Sequence, residues 1–236
     1  MIKGIDISKW QGEMDWAKAA ENAHFAFIRA GSINNETGDC YTDYQFDRNA
    51  EVAPDYLPVA YYWYFRPKWN PHKQADYFMN LVFGKDGFGV VGDFEETGTT
   101  HATASINMKI FMDEIGGFGK RLIYTRGIWW NSVVGNDSWP KSYALWIARY
   151  NNTLQHPWGD GSCKPHCWDD WLFWQFTSSG PGSYWGAESE EIDLNYFNGE
   201  EEDFLEYIGN EVLPPPIYQV NVPSNVKNFT IEVNRT

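Results

Sequence analysis

The sequence predicts an α/β fold: a TIM-type β/α barrel of eight strands, with reduced helices in its C-terminal part. Three observations predict it. Short apolar runs alternate with helix-like stretches from the N-terminus to about residue 200. Repeated strand–helix units imply right-handed crossovers and a parallel sheet. The 236 residues suit one closed barrel, which commonly takes about 200–250.

The elements follow in order. Residues 2–7 (IKGIDI) form a short strand, and residues 15–22 a helix whose acidic start at Asp15 marks its N-terminus. Residues 24–30 (HFAFIRA) form a second strand, 43–52 a helix, and 57–65 (LPVAYYWYF) a third strand. A helix over 71–83 leads to a fourth strand at 88–95 (FGVVGDFE), and a helix over 102–115 to a fifth at 121–125 (RLIYT). Residues 142–150, 171–176 and 191–194 complete the eight. Residues 151–170 form a long polar loop, and a loop of that length in a compact domain is functional or an insertion. At 213–216, Leu-Pro-Pro-Pro cannot continue a helix and reads as a stiff linker. The chain therefore divides into a barrel over 1–212 and a Pro-rich linker with a short tail over 213–236. Phe229, Ile231 and Val233 alternate as in an added strand or hairpin, too short to be a domain.

Lys plus Arg number 18 and Asp plus Glu 32, a net charge of −14. That balance excludes a nucleic-acid binder, which needs clustered cations against phosphate, and a polybasic membrane anchor. A hydrophobic fraction of 43% builds a sizeable core and excludes general disorder. No run of 18 apolar residues is present, so no spanning helix is expected. Met1 is followed at once by a strand pattern and not by a signal peptide's n- and h-regions. Cys163-x-x-His166-Cys167 looks only faintly like a metal cluster, since Cys40 is distant in sequence. A local disulfide or free thiols in a loop are the simpler readings, and no metal or other cofactor is expected. Aromatic residues make up 18% of the chain. Their flat apolar faces suit sugar rings, although most aromatics in any protein are core.

Four carboxylates mark the candidate site. Asp93 and Glu95 sit at i and i+2 at the end of the fourth strand, so they share a face about 6–7 Å apart. Barrel active sites gather at strand C-terminal ends. Two carboxyls there can divide acid and base work on a glycosidic bond. A solvated strand end running into Glu96-Thr97-Gly98 would give the same local pattern. Asp6 ends the first strand and Asp193 the last, and first and last strands are neighbours in a closed barrel. Four acids in one mouth repel one another, which raises at least one pKa and supplies a proton donor.

These residues resemble glycoside hydrolase family 25, the muramidases or Chalaropsis-type lysozymes. Gly4-Ile5-Asp6-Ile7-Ser8-Lys9-Trp10-Gln11-Gly12 with Asp15-Trp16 is similar to that family's opening. Phe27-Ile28-Arg29-Ala30, Gln74-Ala75 with Phe78, Asp93-Phe94-Glu95 and Ile123-Tyr124-Thr125 resemble later motifs in the right order. Leu145-Trp146-Ile147-Ala148 with Tyr150, Trp174-Gln175-Phe176-Thr177-Ser178 and Asp193-Leu194-Asn195 continue the series to about residue 198. The resemblance implies a flattened, irregular barrel that hydrolyses the β-1,4 bond between N-acetylmuramic acid and N-acetylglucosamine in peptidoglycan, as found in phage endolysins. It implies Glu95 as general acid/base, and Asp93 as the residue that assists the substrate's 2-acetamido group or serves as second carboxylate. Asp6 and Asp193 would hold the cleft's charge and hydrogen bonding. Tyr62, Tyr64, Tyr124, Trp146, Tyr150 and Trp174 become candidate sugar contacts, each equally open to a reading as barrel packing.

Two departures stand out. The family's strand-three histidine is replaced by Trp63, which puts polar contacts at that strand in doubt. The 151–170 loop is longer than the usual connection and is expected to extend one cleft wall. A family 18 chitinase-like enzyme also uses D-x-E, but its longer acidic pattern is absent. A non-catalytic glycan-binding barrel is the other alternative, against which the four acids speak. The expected partner is the peptidoglycan glycan strand, met by a monomer with no nucleic acid or membrane involved. The chain would reach the cell wall either as a phage-type lysin released from the cytoplasm or as a secreted protein with its signal removed.

Overall fold

The computed structural model describes residues 1–135, 137–150, 156–159, 161 and 163–209. The proposed linker and tail over 213–236 lie outside the described residues. The strands are β1 (Lys3–Ile7), β2 (Phe25–Ile33), β3 (Cys40–Thr42), β4 (Val59–Tyr64), β5 (Gly89–Asp93), β6 (Lys120–Thr125), β7 (Ala144–Ala148), β8 (Phe173–Pro181) and β9 (Glu191–Phe197). The α-helices are α1 (Trp16–Ala20), α2 (Phe46–Val52), α3 (Pro71–Val82), α4 (His101–Glu114), α5 (Gly127–Val133) and α6 (Glu201–Ile208). The sheet runs β1-β9-β8-β7-β6-β5-β4-β2-β3, and β1 also pairs with β2. Eight strands therefore close into a barrel, while β3 is a short antiparallel addition to the end of β2.

The predicted all-parallel sheet is corrected at β9, which runs antiparallel to both β8 and β1. Only residues 182–190 join β8 to β9, and a parallel crossover needs a dozen or more residues. The barrel is thus mixed. Helices do thin out after α5: within the described residues, a turn of 3₁₀ helix is all that stands between β8 and β9. The sequence reading missed β3, α5 and α6. It placed the others within a few residues, and local chemistry explains several boundaries. Asp15 caps α1 by accepting from the Lys18 amide at 3.1 Å. Asn70 accepts from the His72 and Lys73 amides and is followed by Pro71 at the first helical position of α3.

Two apolar layers follow from strict alternation along the strands. Outward residues such as Ile5, Ile28, Trp63, Val90, Phe94, Ile123 and Ile147 pack against Phe78, Phe111 and Trp130 of the surrounding helices. Inward residues Phe25, Phe27, Val91, Leu122, Trp146, Phe173 and Phe197 fill the barrel. Helix α6 plugs the end opposite the cleft, with Phe204 centred 5.3–5.4 Å from Phe25 and Phe197. The aromatic excess is therefore largely structural. Trp63 faces outward, where its indole donates to the buried Gln74 side chain at 3.1 Å. Its replacement of a histidine consequently leaves the cleft's polar contacts untouched, which corrects the doubt raised from sequence.

Phe173 makes edge contacts with Phe25 and Phe27 at 5.1 Å each and sits fully buried in the barrel centre. Phe173→Ala is expected to destabilise the protein by about 3–5 kcal/mol through lost burial and a residual cavity. Chemical denaturation checks this, and a loss under about 1 kcal/mol would show that the inner layer is not the barrel's packing centre.

Candidate active site

The same alternation that fills the barrel lower down brings polar groups inward at its open end. Asp6 on β1, Arg29 on β2, Tyr62 and Tyr64 on β4, Asp93 on β5, Tyr124 on β6, Trp146 on β7, Gln175 on β8 and Asp193 on β9 line one cleft, joined by Glu95 and Tyr150. Strand β5 ends at Asp93, but the Phe94 amide still donates to the Tyr124 carbonyl at 2.9 Å. The Thr125 hydroxyl donates to the Phe94 carbonyl at 2.8 Å. The backbone thus stays extended through Phe94, whose ring points outward to Phe65 and Phe111. Asp93 and Glu95 accordingly both face the cleft, as their spacing predicts.

Asp193 needs a positional correction. It lies near the start of β9, not at its end. Because β9 runs antiparallel, that start sits at the cleft, directly across from Asp6 in the strand register.

Asp6 is buried and its Oδ2 accepts from Gln175 Nε2 at 2.9 Å and from Asn195 Nδ2 at 2.8 Å. Both amides are oriented by groups behind them. The Trp146 indole can only donate, and it does so to Asn195 Oδ1 at 2.8 Å. The Tyr124 and Tyr150 hydroxyls donate to Gln175 Oε1 at 2.8 and 3.0 Å. Oδ2 of Asp6 is thereby held as an acceptor, and the Asp6 and Asp193 carboxyls share a further hydrogen bond. Burial pushes the Asp193 carboxyl up to about 9, and the neighbouring Asp6 charge adds to it. Burial also raises Asp6, against the lowering effect of its amide donors.

Burial, then the Glu95 charge, raises Asp93 well above the usual carboxylate range, with Arg29 opposing. Its Oδ1 is buried with no hydrogen-bond partner among the described residues. Glu95 is raised by burial, with Arg126 opposing from 3.7 Å. Its side chain is 24% exposed, whereas Asp6 and Asp93 are each only 4% exposed. Burial works against the Arg29 charge, but Tyr62, Tyr41 and Asp93 outweigh it and raise its pKa. The cleft therefore keeps protons at pH values where exposed carboxyls have lost them.

The sequence-predicted aromatics divide. Tyr62, Tyr64, Tyr124, Trp146 and Tyr150 line the cleft. Trp146 is its floor, stacked on Phe27 with centroids 4.0 Å apart. Trp174 does not reach it: Gln175 is the inward residue of that strand, so Trp174 points outward, donates to the Arg149 carbonyl at 2.8 Å and packs on Trp171 and Phe176. Sequence reasoning missed Arg29, Gln175 and Asn195 as site residues. All three stand inside quoted motifs at inward strand positions, which was the available signal.

The described part of the long loop packs on α5. The indole of Trp130 donates to Cys167 Sγ at 3.1 Å, and burial raises that thiol to about 11. A side chain on Gly127 would collide with the Cys163 carbonyl. The described part of the loop thus packs on α5, and none of its described residues lines the cleft.

A mixed barrel with a buried carboxyl cluster at its open end defines a class, and comparison with known proteins identifies it. The model of glycosyl hydrolases family 25 matches residues 5–184. The chain belongs to that family and is a glycoside hydrolase. It is 28% identical over 219 residues to protein YegX of Escherichia coli (strain K12), covering 88% of this chain and 73% of that one. It is also 28% identical over 218 residues to Lysozyme M1 of Streptomyces globisporus, covering 84% and 68%. Its fold is similar to the muramidase from Acremonium alcalophilum, with TM-score 0.71, 23% identity and coverage of 89% and 99%. The family 25 glycosyl hydrolase from Bacillus anthracis superposes with TM-score 0.69, 23% identity and coverage of 88% and 93%. Among the described residues no helix is long and apolar enough to cross a membrane.

The raised Asp193 pKa has a stability consequence. The folded state holds a proton that the unfolded state releases near 3.8, so this stabilisation is full below 3.8 and is lost as pH rises towards about 9. Unfolding free energy should fall across that window, and Asp193→Asn, which cannot ionise, should flatten the fall. Denaturation at pH 5, about 7 and about 9 tests it. An equal slope in the variant would refute a proton held on Asp193.

Proposed function

We propose that this chain is a lysozyme that hydrolyses the β-1,4 bond between N-acetylmuramic acid and N-acetylglucosamine, acting on peptidoglycan glycan strands at the bacterial cell wall. The observation that carries the reading is one cleft with a graded set of carboxyls. Asp6 and Asp93 are buried, half-buried Asp193 is tied to Asp6, and Glu95 stands partly open at the mouth with a raised pKa and no carboxyl hydrogen-bonded to it among the described residues. A carboxyl whose burial raises its pKa above the ordinary glutamate value and which faces a bound sugar is suited to protonate the leaving glycosidic oxygen. Glu95 is accordingly the general acid, and the general base in the second half of the reaction. The names of Lysozyme M1 and of the Acremonium alcalophilum muramidase support the substrate class.

Asp93 assists the 2-acetamido group in this reading. Its unpartnered Oδ1 is a buried acceptor waiting for a donor, and the amide N–H of that group is such a donor. Holding the amide aims its oxygen at the anomeric carbon, with positive charge developing on the resulting oxazolinium. A water-activating carboxylate for inversion would have to stand across the ring from Glu95, about 6.5–9.5 Å away. Asp93 comes from the same strand face and is poorly placed for that. Arg29, between Tyr62 and Asp93, keeps the collected negative charge tolerable while the cleft is empty. Tyr150 on the rim offers a ring face to a neighbouring sugar, while the Tyr64 ring lies against the Arg29 and Arg66 guanidiniums.

Glu95→Gln removes the proton donor and keeps the shape. Reducing-end release from purified peptidoglycan should drop by about 10²–10⁴-fold with the fold retained. A variant that clears cell walls at the native rate would end the assignment. For Asp93→Asn, kcat should fall by about 10²–10³-fold with little change in KM, since the contact strengthens as charge develops. In the wild type the first-formed product should be the β-anomer, read by NMR before mutarotation. An initial α-anomer would remove Asp93 from this role.

A further inference from the structure

Beside the cleft lies a second groove of about 600 Å³, walled by α5 on one side and by the end of β7 with Arg149, Tyr150 and Cys163 on the other. It is continuous with the cleft. Tyr150 lines both, and Arg126 lines the groove while its Nε faces Glu95. Its remaining walls combine an apolar strip, Ile128 and Trp129, with a second guanidinium, Arg149. Ile128 is 66% exposed, and Arg149 Nη1 is buried with no hydrogen-bond partner among the described residues. No carboxylate stands among the described lining residues. Arg126 is offset by Glu95, so in a chain of net charge −14 Arg149 is the guanidinium that has no acid beside it among the described lining residues.

An occupant must therefore be anionic and carry small apolar groups, and it must be attached to whatever occupies the cleft. A neutral sugar meets only the last condition. Resting on the muramidase reading, we propose that this groove binds the peptide that branches from the lactyl group of muramic acid, with Arg149 taking a free carboxylate of that peptide and Ile128 and Trp129 covering its methyl side chains. A guanidinium pairs with a carboxylate through two parallel hydrogen bonds, which fixes orientation as well as charge. The loop's contribution is to close the far wall: Gly127 allows the Cys163 backbone to lie against the start of α5.

The test compares glycan strands bearing uncross-linked stem peptides with the same strands after an amidase has removed them. Wild-type kcat/KM should favour the peptide-bearing strands by about tenfold, the scale of one charge-assisted hydrogen bond. Arg149→Met keeps the apolar bulk, and Ile128→Glu sets a like charge against the peptide. Each should lose about that factor on peptide-bearing strands and keep native kcat/KM on stripped ones. Equal losses on both substrates would make the groove a sugar subsite or a structural element, and no loss on either would leave it without this ligand; both results overturn the proposal. A second measurement needs no turnover. Titrating Glu95→Gln with a soluble stem tripeptide should shift the Trp129 indole resonance, and adding Arg149→Met should abolish the shift. No shift at millimolar peptide, or one that survives the second substitution, would likewise overturn the groove assignment. A wild type inactive on both glycans would sink the muramidase reading alone, with the titration still deciding the groove.

Discussion

Asp6 Oδ2, accepting from Gln175 and Asn195 at once, is the contact on which the cleft depends. A buried carboxylate is costly unless its oxygens are satisfied. Here the satisfaction is supplied by two amides that cannot turn over, because the Trp146 indole and two tyrosine hydroxyls hold their oxygens. The chain of donors runs from Tyr150 at the rim, through Gln175, to Asp6. Gln175 on β8 and Asp6 on β1 meet because β9 lies between those two strands in the sheet, and Tyr150 reaches in from just past β7. With Asp6 and Asp193 sharing one corner of the cleft, burial first and the neighbouring carboxyl charges after it raise the pKa of Asp93 and Glu95.

The two apolar layers make that arrangement rigid. Phe27 stacks under Trp146, so the floor of the cleft is also the top of the barrel's packed interior. Phe94 sits between Asp93 and Glu95 in sequence and points the opposite way, into Phe65, Phe111 and Trp130. Any shift of this backbone would move a buried ring and two carboxyls together. Aromatic residues serve here mainly as the stiff packing that keeps charged groups from relaxing apart, and only a few of them meet solvent at the rim.

Departures from a regular barrel bear on function as well. The short return from β8 reverses β9, which brings the beginning of that strand to the cleft and sets Asp193 opposite Asp6. A parallel last strand would have presented its other end. The connection after β7 lacks a helix among its described residues and instead wraps back on α5, creating a groove next to the reaction centre. Irregularity in the C-terminal part thus adds recognition surface without disturbing the strands that hold the acids.

The sequence by itself determined the barrel, most of its strands and the four carboxyls. Apolar runs with period two are a local property, and an acid interrupting such a run is visible without coordinates. Alternation would also have located Gln175 and Asn195, since each sits two residues along from an inward neighbour. What only the tertiary structure decided was which groups meet across strands. The orientation of β9 depended on a connection too short for a crossover. The outward turn of Trp63 and Trp174 depended on which face of each strand found a helix. The plug formed by α6 depended on an open barrel end that no local pattern describes. Arg29 and Arg149 read as ordinary strand residues until closure set one among acids and the other in a groove without any. Sequence spacing carries facing within a strand, but pairing between strands is long-range, and it is that pairing that sets Asp193 against Asp6.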